Sequence, residues 1–305
     1  MKKQIENQMS LFDIELPSFP LAGEDIPEAI PEQQPSPMPQ KISGARVPDE
    51  EFTDVPIIGE KPTVQKILKL LEKGTYKVGR HQFLSDVFEC GAIAISNKFD
   101  FANYDKREER YMQIINSYDK DMRMLITQVF AEIYMLLSQQ IHPAVGFNDY
   151  LGDLYMRSET SNSKAGQFFT PYSVSKCCAQ VSINSSIVNE AIEQDKILTL
   201  HEPTCGAGGM VIAAADVLYN DYHFNISRNL LVECGDIDAR CVHMSYLQLG
   251  LAGIPAVIFH RDGLTLETWD RWETPAYIMQ WMRFKDVFKG TPSNWRAKTE
   301  RKKKQ

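Results

Sequence analysis

The chain lacks a long apolar run, closely paired cysteines and a cluster of metal ligands. Its six cysteines form no Cys-x-x-Cys pair, and none is grouped with histidine as zinc ligands are. The N-terminus has no apolar signal region, and the most apolar stretch, residues 122–141, is interrupted by Arg123 and Glu132. These absences predict a reduced, cytoplasmic protein without a bound metal or a membrane partner.

Acidic residues and prolines are concentrated at the N-terminus. The 305 residues carry a formal net charge of −7, and residues 1–62 alone hold 12 acidic and 5 basic side chains, together with 10 of the 16 prolines. Such a composition buries too little apolar surface to offset the entropy lost on folding. We therefore predict a disordered acidic tail over residues 1–60.

The rest of the chain divides into three predicted segments. Val64, Ile67 and Leu71 recur at helical spacing and open a helical domain over residues 61–160. An α/β domain follows over 161–290. The final segment, 291–305, is basic, since the last eleven residues hold six Lys or Arg and one Glu. Such a basic end is typical either of a segment that attracts nucleic-acid phosphates or of a tail that only increases solubility.

Strand and helix patterns alternate within the α/β domain. Apolar runs predict strands at 197–201, 229–234 and 255–260, and helical patterns fit 172–183, 209–219 and 239–250. Strands that alternate with helices form parallel sheets. The predicted fold is therefore an α/β, Rossmann-like core, with an incomplete parallel sheet, because no apolar strand is apparent over residues 264–273.

A glycine-rich turn joins the first predicted strand to the next helix. It reads Glu202-Pro203-Thr204-Cys205-Gly206-Ala207-Gly208-Gly209. Glycines remove side chains where a backbone must approach a ligand or adopt a positive φ. The turn lacks both the dinucleotide pattern G-x-G-x-x-G and the Lys-Ser/Thr of a phosphate loop. The alternative to a ligand-binding turn is an ordinary strand-to-helix turn without a ligand. The acidic residues after the next two predicted strands help to decide between these two interpretations.

Two aspartates follow the second and third predicted strands. Asp236, at the end of the second strand, is placed where a carboxylate accepts hydrogen bonds from a ribose diol. Asp262, after the third strand, has a carboxylate that can accept from an exocyclic amine such as that of adenine, or can belong to a plain turn. Together with the glycine turn, the two aspartates indicate a nucleoside-type cofactor.

Three motifs occur in order along the chain: Gly166 to Pro171 (GQFFTP), Glu202 to Gly209 (EPTCGAGG) and Gly235-Asp236-Ile237, preceded by Asp149 to Tyr155 (DYLGDLY). In this order and spacing they resemble the N6-adenine DNA methyltransferase family, most closely the modification subunit of type I restriction systems. The resemblance implies an S-adenosylmethionine-dependent methyltransferase fold and S-adenosylmethionine as the cofactor. It also implies DNA as a partner, with base flipping before methyl transfer.

The same resemblance assigns cofactor-binding roles by motif position. Phe169, Thr170 and Pro171 would border the methionine end of the cofactor. The backbone from Glu202 to Gly208, which includes Pro203, Thr204 and Gly206, would wrap its amino-acid part. Asp236 would hold the ribose and Asp262 the adenine.

One family motif is missing. The catalytic tetrapeptide Asn/Asp-Pro-Pro-Tyr/Phe does not occur, and its nearest counterpart is Thr274-Pro275-Ala276-Tyr277. Threonine lacks the planar amide that makes paired hydrogen bonds with an amine. An incomplete parallel sheet also leaves an open edge, which residues 277–288, the N-terminal helices or another protein would cover.

The N-terminal tail contains a short docking pattern. Gln8-Met9-Ser10-Leu11-Phe12 resembles the peptides with which bacterial proteins bind the replicative sliding clamp. In that mode Leu11 and Phe12 enter an apolar pocket while Gln8 hydrogen-bonds beside it. An accidental apolar patch in a linker is the alternative.

Two functions remain open at this point. The first is an adenine-N6 DNA methyltransferase that binds S-adenosylmethionine and DNA, with catalysis degenerate or completed by a partner such as another restriction–modification subunit. The second is a non-catalytic accessory or decoy module that acts in restriction–modification, anti-restriction or replication through DNA or the sliding clamp.

Overall fold

The computed structural model describes residues 64–75, 78–141, 145–159 and 169–283. The predicted acidic tail, the peptide Gln8–Phe12 and the basic segment 291–305 lie outside these ranges. So do residues 166–168 of the first family motif.

Five helices come first in the described chain. They are α1 (Val64–Thr75), α2 (Arg80–Ser96), α3 (Tyr104–Asn116), α4 (Lys120–Ser138) and α5 (Tyr150–Glu159). The carboxylate of Asp119 caps the start of α4 by accepting a hydrogen bond from the Met122 N–H. One face of α4 is buried at helical spacing, with Ile126, Val129 and Ile133 fully enclosed.

A four-stranded sheet with helices follows. Its elements are α6 (Tyr172–Ser182), α7 (Ser185–Glu193), β1 (Leu198–Glu202), α8 (Gly209–Tyr222), α9 (Ile226–Asn229), β2 (Leu230–Asp236), α10 (Ala239–Leu251), β3 (Ala256–Arg261), β4 (Thr268–Glu273) and α11 (Pro275–Arg283). The order across the sheet is β1-β2-β3-β4. The predicted α/β architecture with an open, incomplete sheet is confirmed.

The first three strands are parallel, and the crossovers through α8 and α10 cover one face of the sheet. Leu198 pairs with Leu230, and Val232 pairs with Ala256. Leu200 packs beside the cluster formed by α6 and α8, while Trp272 of β4 contacts Tyr246 of α10 at a ring separation of 5.2 Å. The carboxyl ends of β1, β2 and β3 therefore lie together at one edge, where ligands bind in folds of this kind.

The fourth strand corrects the prediction that no strand occupies residues 264–273. β4 pairs antiparallel with β3, so the sheet is mixed rather than purely parallel. The sequence Thr268–Glu273 is rich in charged residues and so does not show the apolar run that predicts a strand. A strand at the edge of a sheet nevertheless needs only one apolar face. Trp272 supplies that face and is only 3% exposed.

A buried arginine from the helical segment holds β4 in place. Arg107 of α3 donates hydrogen bonds to the carbonyl of Arg271 at 2.9 Å and to the carboxylate of Asp100 at 2.8 Å. Its guanidinium lies 4.0 Å from the centre of the Trp272 ring. Since Arg107 is 4% exposed, these contacts compensate for the burial of its charge.

Candidate functional site

The glycine turn lies at the carboxyl end of β1 and opens α8. Gly206 and Gly208 have φ values of +55° and +94°, in the left-handed region that favours glycine. Gly208 is the N-cap residue of α8, and its N–H donates to the carbonyl of Cys205 at 2.7 Å. The sequence Gly-Ala-Gly-Gly therefore forms a tight loop at the carboxyl end of β1, in which Gly206 is half-buried and the three residues after it are buried.

Asp236 ties the end of β2 to this loop. Its Oδ2 accepts a hydrogen bond from the N–H of Gly206 at 2.9 Å, and its Oδ1 accepts one from the N–H of Asp238 at 2.9 Å. A further hydrogen bond, from the N–H of Cys205 to the carbonyl of Gly235 at 2.9 Å, joins the same two segments. The structure thus brings together the two motifs that the sequence placed 30 residues apart.

Phe169 covers the loop from a third direction. A Cβ atom built on Gly206 would lie 3.0 Å from the Phe169 ring, which explains why glycine is required there. The Phe169 ring also lies 5.3 Å from that of Tyr155 in α5. Thr170 and Pro171 are exposed, and Pro171 precedes the first turn of α6. The described part of the first motif therefore meets the glycine loop.

The third strand brings Asp262 to the same edge. The Oδ1 atom of Asp262 accepts the N–H groups of Leu264 at 2.8 Å and Thr265 at 3.2 Å, and these backbone hydrogen bonds lower the pKa of the carboxyl. A Cβ atom on the next residue, Gly263, would lie 3.4 Å from the carbonyl oxygen of Pro203. Asp262 thus shapes the hairpin turn that borders the glycine loop.

Glu202 and Thr204 stabilise the start of the loop locally. The Glu202 Oε1 atom accepts hydrogen bonds from the N–H of Thr204 at 3.1 Å and from its hydroxyl at 3.3 Å. The Glu202 side chain is half-buried, and Pro203 and Thr204 are exposed. This short-range pair fixes the direction in which the chain leaves β1.

A buried carboxylate supports the loop from beneath. Asp149 accepts hydrogen bonds from the N–H of Gly152 at 2.9 Å and from the side-chain amide of Gln248 at 2.8 Å. The same amide donates to the carbonyl of Ala207 at 2.7 Å. Burial raises the pKa of Asp149. A Cβ atom on Gly209 would lie 2.4 Å from the Asp149 carboxylate, so Gly209 is needed to admit this support.

These supporting residues were not predicted from the sequence. Ser245 donates to the carbonyl of Gly206 at 2.8 Å, and it stands three residues before Gln248 on α10. Both are fully buried in a helix whose other residues are mostly apolar. Two polar residues three positions apart on a buried helix are a sequence signal for a hydrogen-bonded support of this kind, because a buried polar side chain needs a partner.

A cationic side chain stands beside the Asp236 end of the site. Asp238 caps α10 by accepting the N–H of Arg240 at 2.9 Å, and its other oxygen accepts from the Arg240 guanidinium at 2.5 Å. Arg240 also donates to the Tyr155 hydroxyl at 3.1 Å and contacts the His81 ring. The helical segment and the sheet therefore both contribute to the border of the site.

The structure does not bring Thr274, Pro275 and Tyr277 to this edge. Thr274 follows β4 and lies at the start of β3, at the opposite end of the sheet from the glycine loop. Its hydroxyl accepts the N–H of Ala256 at 2.9 Å and donates to the carbonyl of Ile254 at 2.8 Å. Thr274 is fully buried, and its observed contacts connect β4 to β3.

The fold and the site agree with the class of S-adenosylmethionine-dependent methyltransferases. A scan of family models matches residues 147–304, slightly more than half of the chain, to the family described as N-6 DNA methylase. The chain belongs to this family, and its cofactor is S-adenosylmethionine. No curated protein matches it in sequence.

Two solved structures match this chain with TM-scores below 0.5. One is described as a class I S-adenosylmethionine-dependent methyltransferase from Listeria monocytogenes; it is 13% identical, with a TM-score of 0.39, and the match covers 72% of this chain and 69% of that one. The other is the methyltransferase subunit of a type I restriction-modification system from Streptococcus thermophilus, at 18% identity and a TM-score of 0.35. The match covers 68% of this chain and 41% of that subunit.

The residues at the carboxyl edge fit the cofactor chemically. The half-buried Asp236 has a carboxylate that already accepts one hydrogen bond at each oxygen, and each oxygen has a second lone pair for a ribose hydroxyl. The glycines allow close approach of the main chain.

Within the described part of the chain, no helix combines the length and apolar content needed to span a membrane.

Proposed function

We propose that this chain binds S-adenosylmethionine at the carboxyl edge of β1 and β2 and takes part in methylating the N6 amino group of adenine in DNA. Membership of the N-6 DNA methylase family supports the reaction class. The observation that carries the site is the hydrogen bond from the Gly206 N–H to Asp236, because it joins the glycine loop to the acid at the end of β2.

In this proposal the described residues bind and orient the cofactor. Asp236 accepts the ribose hydroxyls, Asp262 lies at the adenine end, and the main chain from Glu202 to Gly208 surrounds the amino-acid part. Phe169 covers the loop. S-adenosylmethionine supplies an activated methyl group when bound. The groups that grip the target adenine belong to residues outside the described ranges or to a partner such as another restriction–modification subunit.

Transfer of a labelled methyl group to DNA tests the reaction. The full chain is incubated with radiolabelled S-adenosylmethionine and unmethylated bacterial DNA, and the digested nucleosides are analysed for N6-methyladenine. We expect the label in N6-methyladenine, and we expect Asp236→Ala to abolish it. A matched control is Asp195→Ala, since Asp195 is an exposed acid beyond the far end of β1. Equal transfer by both variants would contradict the assigned site.

A second candidate function is supported by the position of Thr274. Thr274, in the nearest counterpart of the catalytic tetrapeptide, is buried at the amino end of the sheet, whereas the glycine loop lies at the carboxyl end. Thr274 therefore cannot reach a substrate at the glycine loop. This favours an accessory module that binds the cofactor and DNA without turnover. Calorimetric binding of S-adenosylmethionine combined with no methyl transfer, alone or with a bacterial lysate, would select this second function.

A further inference from the structure

A closed circuit of contacts lies at the carboxyl edge of the sheet. Asp236 accepts the N–H of Gly206 through one oxygen and the N–H of Asp238 through the other, each at 2.9 Å. From Asp238 the contacts run through α10 and α5 to Phe169, whose ring lies against Gly206. In order, this contact circuit consists of Asp236, Asp238, Arg240, Tyr155, Phe169 and Gly206.

Arg240 carries the contact circuit from the sheet to the helical segment. Its N–H and its guanidinium both donate to the Asp238 carboxylate, at 2.9 and 2.5 Å. Its Nη1 atom donates to the Tyr155 hydroxyl at 3.1 Å. The Arg240 side chain is 18% exposed, so these hydrogen bonds offset the partial burial of its charge. Because a guanidinium is a rigid, planar set of donors, Arg240 fixes Tyr155 relative to Asp238.

Tyr155 connects Arg240 to Phe169. Tyr155 is 2% exposed, and the centre of its ring lies 5.3 Å from the centre of the Phe169 ring, with 48° between the ring planes. Aromatic side chains attract each other at this separation. The Phe169 ring also lies against Gly206, where an added Cβ atom would be 3.0 Å away. The position of Phe169 therefore depends on Tyr155 as well as on the glycine loop.

Helix α5 is fixed to α10 at its start, which gives Tyr155 a firm support. The N–H of Leu151 donates to the side-chain carbonyl of Gln248 at 2.9 Å. The amide of the same Gln248 side chain donates to Asp149 at 2.8 Å. Tyr155 follows Leu151 by four residues, and residues at this spacing lie on the same face of a helix. Both ends of the described contact between α5 and α10 therefore adjoin the site.

We propose that Tyr155 and Arg240 are positioning residues of the cofactor site. Arg240 fixes the Tyr155 ring, and Tyr155 holds Phe169 against the glycine loop. This inference rests on the proposed function, in which Phe169 belongs to the methionine end of the site and Asp236 to the ribose end. Tyr155 acts on cofactor affinity through Phe169 and needs no contact with the cofactor. The helical segment thereby completes a site whose other parts come from the sheet and its turns.

A double-mutant cycle in cofactor affinity tests this role. S-adenosylmethionine is titrated by calorimetry into the full chain, into Tyr155→Leu, into Phe169→Leu and into the double variant. Each single substitution should weaken binding about five-fold, the effect of one lost aromatic contact. The double variant should bind within about two-fold of Phe169→Leu, because Tyr155 acts through Phe169. Effects that multiply to about 25-fold, or unchanged affinity in Phe169→Leu, would overturn the proposal.

A milder substitution tests the part of Arg240. Tyr155→Phe keeps the aromatic ring and removes only the hydroxyl that accepts from Arg240, so it also serves if Tyr155→Leu does not fold. It should weaken binding about three-fold, the effect of one lost hydrogen bond. In the Phe169→Leu background the same substitution should have no effect. Affinity equal to that of the unaltered chain would overturn the role of Arg240.

Tyr118→Leu is the matched control. Tyr118 is a buried tyrosine of the helical segment, its hydroxyl donates to Asp86 at 2.5 Å, and its ring lies 6.3 Å from that of Phe83. The substitution should lower the unfolding temperature as Tyr155→Leu does and leave cofactor affinity unchanged. An equal loss of affinity in both variants would mean that general destabilisation is the cause, and would overturn the proposal. Absence of binding by the unaltered chain would instead reject the proposed function, and this inference with it.

Discussion

Replacing Gly208 with alanine tests whether the glycine loop forms part of the cofactor site, because loss of stability and loss of cofactor affinity can be measured separately. Gly208 has φ +94° and ψ 9°, and a Cβ atom there would lie 3.3 Å from the Ser245 hydroxyl and 3.6 Å from Leu249. Because the Ser245 hydroxyl donates to the Gly206 carbonyl, a shift of Ser245 moves the loop. The substitution therefore perturbs both the conformation of the turn and its support.

The size of the effect can be worked out from these contacts. Alanine in a left-handed conformation costs about 1–2 kcal/mol in the free energy of unfolding. The 3.3 Å contact requires a movement of a few tenths of an ångström, which Ser245 cannot make without straining its hydrogen bond to the loop. We expect S-adenosylmethionine affinity to fall about ten-fold or more, which corresponds to about 1.4 kcal/mol.

Gly253→Ala is the matched control. Gly253 also has a positive φ, +68°, but it lies between α10 and β3, and its added Cβ atom would be 3.7 Å from the nearest atom, the Ser227 hydroxyl. Both variants should lose the stability that a left-handed alanine costs, and Gly208→Ala should lose more in denaturant unfolding because of its contact with Ser245. Only Gly208→Ala should weaken cofactor binding in calorimetry. Unchanged affinity in a folded Gly208→Ala variant would refute the assignment of the loop.

Three further predictions concern pH, the buried arginine and the tail. Burial lowers the pKa of His243 to about 4, so the unfolded state, with the ordinary value of 6.5, binds more protons between these pH values. Stability should therefore fall as pH decreases from 6.5 towards 4, and urea titrations should show that His243→Gln removes about 3 kcal/mol of that loss; an unaltered pH profile would contradict this. Arg107→Leu leaves the buried Asp100 carboxylate without a cationic partner, although the Asn103 amide still donates to it, and should cost about 3 kcal/mol in the free energy of unfolding, whereas a change below about 1 kcal/mol would mean that the ion pair is dispensable. A peptide of residues 1–20 should bind a bacterial sliding clamp in fluorescence anisotropy and lose binding when Leu11 and Phe12 are both alanine; no binding by the unaltered peptide would reject the docking motif.

The sequence predicts the centre of the site better than its surroundings. The glycine turn and the three parallel strands follow from local patterns, because apolar runs and glycines act over a few residues. The sequence does not reveal β4, because its two tryptophans stand among charged residues and its burial depends on Arg107, more than 160 residues earlier. Asp149 belongs to a predicted motif, but its support of the loop has no local signal in the sequence, because it runs through Gln248, 99 residues away.

The expectation for Thr274 shows another limit of sequence reasoning. A Thr-Pro-x-Tyr pattern looks like a degenerate catalytic tetrapeptide when spacing alone is considered. The antiparallel direction of β4 reverses the chain, so this pattern arrives at the amino end of the sheet instead of the carboxyl end. A single unpredicted hairpin thus changes which end of the sheet a motif reaches, although its distance along the chain is unaltered.

Titration calorimetry of the full chain with S-adenosylmethionine tests the central claim most directly. The account predicts saturable binding of one cofactor per chain and its loss in Asp236→Ala, with binding retained in Asp195→Ala. Absence of binding by the unaltered protein, or equal binding by Asp236→Ala, would contradict the claim that the glycine loop and the end of β2 form the cofactor site.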